Sequence, residues 1–353
     1  MAPLKADHMR LNLALQGGGA HGAFTWGALD RLLETATLVI DTISGTSAGA
    51  VNAVALASGY AAGGADEARA RLSDVWNAIA DGGRPEVGTL NPFAAGLRSM
   101  EALAGGSMAR FSGAFSPYEF NPLDFNPLRA ILAEHIDFDA VRAGDLKLAI
   151  AATDVETGLA RVFETHEVTL DVILASACLP AMSRAVEIDG RHYWDGGFSA
   201  NPDLLSFARI AETQDTLLIL ISPLTQAGLP QTPQEIAGAV ARMTFNQPLL
   251  RDLWLIDAVR TSKGLKLRPA GQLERLAKQR FHVIDAGPHT GALAPETKLI
   301  PERGLLEQLR DAGRAEGELW LAENAQHVGW RETANFQDRL QVNAQDGNGA
   351  TRP

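Results

Sequence analysis

The first part of the chain alternates short apolar runs with helical patterns. Residues 11–15 form an apolar run that predicts a strand, and a cluster of glycines follows it. Over residues 23–34 the apolar positions share one helical face, and residues 38–40 predict a second strand. Residues 48–59 are almost all small and predict a helix that packs closely against a sheet. Strand, helix, strand and helix in this order indicate an α/β fold with a parallel sheet and helices on both faces.

The later segments continue this pattern. We expect strands at residues 146–152, 161–165, 217–221 and 281–284, a hairpin over 186–194, a helix starting at 126–128, and helices within 233–279 and 304–325. The hairpin prediction rests on Asp189 and Gly190, because an Asp-Gly pair between alternating residues favours a tight turn. The sequence contains neither a repeat nor a convincing linker. We therefore expect one domain over residues 11–330, with a helix-rich C-terminal part at 233–330 and a disordered tail at 341–353.

Residues 82–127 differ from the rest of the chain. They hold five of the 13 phenylalanines together with prolines and many glycines, and they lack a regular period. Such a segment fits either an irregular part of the core or a cover over an active site. We favour the cover, since binding pockets are apolar and lids are rich in loops.

Composition and charge exclude some classes of protein. A net charge of −11 argues against a nucleic-acid partner and against a basic patch for anionic lipid, but it leaves membrane contact through apolar surface open. The single cysteine, Cys178, rules out an internal disulfide, fits a reducing compartment and is predicted to be buried. No apolar run is long enough for a membrane span, and the first ten residues do not resemble a secretory signal. We expect a cytoplasmic protein; its oligomeric state is not indicated.

A serine lies between two glycines in Gly-Thr-Ser-Ala-Gly at residues 45–49, after a predicted strand and before a predicted helix. This is the pattern of a nucleophile elbow, a strained turn that exposes one hydroxyl. The motif is weak by itself, because the chain contains 34 glycines. A glycine cluster at residues 17–22 and Asp-Gly-Gly at residues 195–197 strengthen it, since they can supply amides for an oxyanion and a base.

The glycine cluster also fits another class of site. Gly17, Gly19 and Gly22 follow a strand with the spacing of a dinucleotide-binding turn, and Asp41 lies about 20 residues further on, as that fingerprint expects. That interpretation leaves the serine motif and the Asp-Gly-Gly motif unexplained. A phosphate loop is less favoured, because no Gly-Lys-Ser/Thr follows. We expect no cofactor and no metal, since Cys/His ligand spacing is lacking.

The base is the deciding question for a serine hydrolase. A histidine triad would need His282, His289 or His327, and none of them has a distinctive strand-end context, although residues 285–289 are a candidate loop. Asp195 follows the predicted hairpin and precedes two glycines. A carboxylate alone can accept the serine proton if partial burial raises its pKa. We therefore favour Asp195.

These motifs resemble those of the patatin-like phospholipases, in the same order. The similar segments are residues 13–22, 45–49, 152–158, 175–180 and 195–197, and the similarity runs from about residue 11 to at least residue 205. The resemblance implies a three-layer α/β/α fold with a mainly parallel sheet and a Ser–Asp dyad that lacks histidine. It assigns Ser47 as the nucleophile and Asp195 as the base, with an oxyanion hole formed by Gly17, Gly18 and Gly19.

The resemblance implies hydrolysis of fatty-acyl esters of lipids, of the phospholipase A or lysophospholipase type. The alternatives are an acyltransferase with the same elbow and a nucleotide-binding module; an inactive scaffold is disfavoured because both dyad residues are present. One position departs from the family: many members carry Arg or Lys where this chain has His21. A histidine is only partly charged near pH 7, so either activity weakens at high pH or His21 is structural.

Overall fold

A computed structural model of the protein describes residues 9–82, 116–225, 228–261, 271–334 and 336. Its central feature is one sheet of eight strands. The strands are β1 (Met9–Leu15), β2 (Leu38–Thr46), β3 (Lys147–Asp154), β4 (Ala160–Glu164), β5 (Val186–Ile188), β6 (Arg191–Asp195), β7 (Asp215–Leu220) and β8 (Arg280–Asp285). Their order is β5-β6-β3-β2-β1-β7-β8, and β4 also pairs with β3. Strands β3, β2, β1, β7 and β8 are parallel neighbours, whereas β4 and β6 pair antiparallel with β3 and β5 pairs antiparallel with β6.

Helices flank this sheet. They are α1 (Ala23–Leu33), α2 (Ala48–Gly63), α3 (Ala65–Gly82), α4 (Pro117–Phe120), α5 (Pro127–His135), α6 (Phe138–Ala143), α7 (Leu170–Ser176), α8 (Phe207–Ile210), α9 (Pro233–Thr261), α10 (Gln272–Ala277), α11 (Gly287–Thr290) and α12 (Arg303–Glu323). Short 3₁₀ helices lie at Gly19–Gly22, Thr165–Glu167, Gly196–Phe198, Pro295–Lys298 and Ala325–His327. The predicted helix over residues 48–59 continues to residue 63, and the helical region 233–279 contains two helices, α9 and α10.

The side chains of β1 show why the fold has three layers. Successive residues of a strand point to opposite faces of its sheet. Leu13 and Leu15 pack in a core cluster with residues of α1, α2, α3 and α12. Ala14, between them, belongs to a second cluster with residues of α8, α9 and α10. The two clusters lie on opposite faces of the sheet, so the predicted three-layer α/β/α fold is confirmed.

Local signals in the sequence account for two of the predicted boundaries. The Asn126 side chain accepts a hydrogen bond from the Leu128 N–H, and Pro127 is the first residue of α5. Asp189 and Gly190 have φ values of 53° and 77° between β5 and β6. Positive φ at both central positions is what a type I′ hairpin turn requires, so the hairpin prediction is confirmed. Cys178 is 2% exposed and hence buried, as expected.

Two expectations lie largely outside the described residues. The cover predicted over residues 82–127 is described only at residue 82 and from residue 116 onward, where α4 and the start of α5 lie. The tail predicted over 341–353 is not among the described residues. Within the described ranges, the helices are all too short or too polar to cross a bilayer. The extent of the domain, residues 11–330, stays a prediction.

Candidate active site

Ser47 lies directly between β2 and α2, in a strained backbone conformation. Its φ is 53° and its ψ is −122°, a conformation that is uncommon for a residue with a side chain. The elbow is also tight: a Cβ atom on Gly49 would lie 2.1 Å from the carbonyl oxygen of Leu15. Glycine at this position therefore lets α2 start beside the end of β1.

A buried serine from another part of the chain holds the elbow. The Ser47 N–H donates a hydrogen bond of 2.9 Å to Oγ of Ser176, the last residue of α7. Ser176 is fully buried. The amide of the elbow is thus satisfied by a side chain, and the Ser47 backbone is fixed relative to α7.

The pairing of the strands places Asp195 at the same edge of the sheet as Ser47. Thr46 pairs with Ala151 of β3, and the next residue of β3, Ala152, pairs with Asp195 at the end of β6. The Thr153 hydroxyl donates to the Asp195 carbonyl oxygen at 2.7 Å. The backbone of Asp195 is therefore anchored to β3, one strand away from the serine elbow.

The Asp195 carboxyl is completely buried, and its two oxygens differ. Oδ1 accepts a hydrogen bond of 2.7 Å from the Gly197 N–H. Oδ2 has no hydrogen-bond partner of normal geometry in the described part of the chain. Burial raises the pKa of Asp195 to about 7, although the Gly197 N–H and the nearby Ser47 side chain both lower it. The arrangement is a carboxyl group that can exchange a proton near neutral pH and that lies close enough to the Ser47 side chain for a hydrogen bond to lower its pKa.

The glycine cluster lies against the elbow because Leu15 pairs with Gly45. A Cβ atom on Gly17 would lie 2.8 Å from Cβ of Ser47. The Gly17 N–H donates to Oδ1 of Asn201 at 2.7 Å, so this amide is already engaged. No described residue accepts a hydrogen bond from the N–H of Gly18 or Gly19. Two of the three predicted oxyanion amides are therefore available to a ligand.

A buried polar network holds the glycine loop. Oε1 of Gln16 accepts from the Ser222 N–H at 2.9 Å, just beyond β7, and its Nε2 donates to Oδ1 of Asn246 on α9 at 3.1 Å. Nδ2 of Asn201 donates to the carbonyl oxygen of Phe245, also on α9, at 3.0 Å. These bonds tie the loop to β7 and α9, so the sheet and one helix together fix its position.

Of the two alternatives for His21, the structure favours a structural role. Its side chain is 1% exposed, and Nε2 shares a hydrogen bond of 2.7 Å with the Thr297 hydroxyl. Burial and the neighbouring Lys298 lower the pKa of His21 to about 4, so it is neutral at pH 7. Lys298 places a cation near this loop, and its Nζ donates to the Ser222 hydroxyl at 2.8 Å. Burial and Arg242 lower the pKa of Lys298 to about 8.

The contacts do not favour the alternative sites. Each of the three late histidines has its own partner: His282 with Asp215, His289 with Glu316 and His327 with Arg331. No hydrogen bond joins them to the serine or to Asp195 in the described ranges. Asp41 accepts the N–H groups of Glu212 and Thr213, so its carboxylate is engaged away from the glycine cluster. In the same ranges, His, Cys, Asp and Glu side chains do not gather in groups of three or more that could hold a metal ion.

Several residues of the site were missed from the sequence. Gln16 and Ser176 lie within the motifs at residues 13–22 and 175–180, so their position there was a usable signal. Asn201 follows the Asp-Gly-Gly motif by only a few residues, which is a weaker signal. Asn246 and Lys298 lie far from every motif, and no sequence pattern marks them.

The chain belongs to the patatin-like phospholipase family: the family model described as "Patatin-like phospholipase" matches residues 13–208, more than half of the chain. Membership implies a hydrolase that acts on lipid esters. Among solved structures, the crystal structure of VipD from Legionella pneumophila is similar with a TM-score of 0.35 and 15% identity, over 87% of this chain and 67% of that one. A likeness at that score supports no further conclusion. No curated protein matches the chain.

Proposed function

We propose that the protein is a serine acyl hydrolase that cleaves fatty-acyl esters of lipids, of the phospholipase A or lysophospholipase type. Ser47 is the nucleophile and Asp195 is the base. The observation that carries this proposal is the buried Asp195 carboxyl with one unengaged oxygen beside the strained Ser47 elbow. A positioned serine needs a neighbouring base to become a nucleophile, and the Asp195 carboxyl is a titratable group next to it.

The reaction proceeds in two steps. Oγ of Ser47 attacks the ester carbonyl carbon while Oδ2 of Asp195 takes the hydroxyl proton. The tetrahedral intermediate collapses, the bond to the alcohol oxygen breaks, and Asp195 returns the proton to the leaving alcohol. Water then attacks the acyl carbon while Asp195 takes a proton from it. The bond between the acyl carbon and Oγ of Ser47 breaks, Asp195 returns the proton to Oγ, and the fatty acid leaves.

The glycine loop stabilises the oxyanion of both tetrahedral intermediates. The N–H groups of Gly18 and Gly19 donate to the oxyanion, and each such donor is worth about 3–4 kcal/mol of barrier. Gly17 has a different part in the proposal. Its N–H binds Asn201, and its missing side chain leaves room for the Ser47 side chain.

The surface near the site supports transient contact with lipid. Ile236, Val240 and Met243 lie on one face of α9 and are 47%, 54% and 53% exposed. Phe198, beside Gly197, is exposed as well. Exposed apolar side chains of this kind mark contact with lipids or partners. We propose a cytoplasmic enzyme that meets its substrate at a lipid surface.

The test uses a fluorophosphonate probe, which reacts covalently with activated serines. We expect labelling of the wild type at Ser47, none in Ser47→Ala, and labelling slowed at least about 100-fold in Asp195→Asn. The surface variants Ser73→Ala and Asp66→Asn are the matched controls and should label like the wild type. Hydrolysis of a p-nitrophenyl ester should follow the same order.

Three outcomes would contradict the proposal. An Asp195→Asn variant that labels as fast as the wild type would mean that another group is the base. A wild type that neither labels nor hydrolyses any ester would refute the hydrolase. Transfer of the acyl group to an added alcohol in preference to water would identify an acyltransferase.

A further inference from the structure

Lys298 contacts the glycine loop, and a second cation, Arg242, is close enough to Lys298 to lower its pKa. Within the described ranges, neither is in ion-pair distance of a carboxylate. Most other lysines and arginines described in the structure form such pairs. In a chain with a net charge of −11, acidic partners are plentiful. Half-buried charges that remain unpaired are unusual and point to a binding function.

Lys298 is in direct contact with the loop. It ends the short helix Pro295–Lys298, and a Cβ atom on Gly19 would lie 2.1 Å from its carbonyl oxygen and 3.5 Å from its Cβ. From there the side chain extends to the Ser222 hydroxyl, 2.8 Å from Nζ. The backbone of Lys298 therefore contacts the glycine loop, and its ammonium group lies just beyond the end of β7.

Arg242 reaches the same region from α9. Gly238, Arg242 and Asn246 are four residues apart and share one face of this helix. A Cβ atom on Gly238 would lie 2.9 Å from Cγ of Pro295, and Asn246 binds Gln16, the residue before the glycine loop. Arg242 lies one helical turn from Gly238 and one from Asn246. Its position on α9 is therefore between the contact with Pro295 and the contact with Gln16.

The electrostatic coupling of the two cations agrees with this placement. Burial is the larger cause of the lowered pKa of Lys298, and Arg242 is the second. His21, which also faces Lys298, is neutral at pH 7 and adds no charge. Two like charges in a half-buried site disfavour each other, and a bound anion relieves the repulsion.

The position of the cations suggests which anion. In a glycerophospholipid, the phosphate is joined through the glycerol to the oxygens that carry the fatty acids. A substrate with one ester carbonyl at the Gly18 and Gly19 amides therefore carries its phosphate a few bonds away. We propose that Lys298 and Arg242 form an anion site that binds the phosphate of a glycerophospholipid substrate. This inference rests on the proposed function and assigns residues to the recognition of the substrate phosphate.

The first arm of the test compares two substrates. The kcat/KM for a monomeric short-chain phosphatidylcholine is divided by that for a p-nitrophenyl ester of the same acyl length. In Lys298→Met and in Arg242→Met we expect this ratio to fall about 10- to 100-fold, as loss of a charge-assisted hydrogen bond predicts. Lys278→Met, at an exposed lysine paired with Glu274, is the matched control and should retain the wild-type ratio.

The second arm does not require catalysis. Binding of the same phosphatidylcholine to Ser47→Ala protein is measured by calorimetry, with and without each charge substitution. Inorganic phosphate is titrated in parallel. We expect the phospholipid to bind, and each charge substitution to weaken it about 10- to 100-fold.

The outcomes separate this proposal from the one on which it rests. If the wild type neither reacts with the probe nor hydrolyses an ester, the proposed hydrolase function is refuted. The calorimetric measurement then still tests whether Lys298 and Arg242 bind the phosphate. Equal loss on both substrates would mean that the cations act on the oxyanion instead, and it would overturn the inference. An unchanged ratio of the two kcat/KM values in the Lys298 and Arg242 variants would overturn the inference as well. So would a result in which these substitutions weaken the binding of inorganic phosphate but not of the phospholipid.

Discussion

The N–H of Ser47 donates a hydrogen bond of 2.9 Å to the hydroxyl of Ser176, a residue 129 positions away in sequence. This bond fixes the backbone of a serine whose φ is 53°. A strained conformation persists only if surrounding contacts hold it. Ser176 is therefore a positioning residue for the proposed nucleophile.

Replacement of Ser176 by Ala should remove the acceptor of a buried N–H. We expect the free energy of unfolding to fall by about 1–3 kcal/mol, because that group stays unsatisfied. We also expect kcat for a p-nitrophenyl ester to fall about tenfold, since the elbow loses its alignment. Urea denaturation and steady-state kinetics measure the two effects, with Ser73→Ala as the control. A kcat equal to that of the control would show that the bond does not position Ser47.

The rate should depend on the ionisation of Asp195. The base accepts a proton only as the carboxylate, and burial raises its pKa to about 7. For a neutral ester, kcat/KM should therefore rise about tenfold per pH unit below pH 7 and level off above it. Asp252 is a useful control, because burial also raises its pKa to about 7 and it is on α9. The Asp252→Asn variant should show the same rise of kcat/KM with pH as the wild type. If kcat/KM of the wild type does not change between about pH 5 and 8, Asp195 does not have this role.

Replacement of Asp195 by Asn should stabilise the protein at about pH 8. The carboxyl has a pKa of 3.8 in the unfolded chain and about 7 in the folded one, so the folded state retains a proton that the unfolded state releases. Stability of the wild type therefore falls as the pH rises through this window, and the full penalty applies above it. The amide variant lacks this penalty, so its Tm should exceed that of the wild type at about pH 8. The difference should vanish near pH 4, and a difference independent of pH would contradict the shifted pKa.

Replacement of Asn201 by Ala should disorder the oxyanion loop. The Gly17 N–H then loses its acceptor, and the link from this loop to Phe245 is lost. We expect kcat to fall about 10- to 100-fold with little change in KM, because the amides of the next two glycines no longer meet the oxyanion. Asn77→Ala on α3 is the control. A variant that changes KM alone would assign Asn201 to substrate binding.

The two classes of substrate should respond differently to alkaline pH. Burial and Arg242 lower the pKa of Lys298 to about 8, so its charge is lost above that pH. Phospholipid hydrolysis should then decline, and bound phosphate should move the decline to higher pH because it stabilises the charged form. A neutral ester should show no such decline. If Lys298→Met keeps the decline on phospholipid, another group is responsible.

The sequence alone determined the elements of the fold and the motifs that form the site. The Asp189–Gly190 turn and the Asn126 cap are local properties, and each appears in the structure where the pattern predicted it. The extent of β2 was harder to predict from the sequence, because Asp41 interrupts the apolar pattern of this strand. The structure accommodates this residue at a shift in register between β1 and β2, where its carboxylate accepts the N–H groups of Glu212 and Thr213.

Only the tertiary structure decided which residues surround Ser47. Asn201 and Gly17 are 184 positions apart, and Lys298 reaches the loop from beyond the family match. Contacts of this kind depend on how the strands are ordered and how α9 packs over the sheet, and neither leaves a periodic signal in the sequence. The two alternatives for His21 could not be separated from the sequence for the same reason. Its pKa depends on burial and on Lys298, which are properties of the folded chain alone.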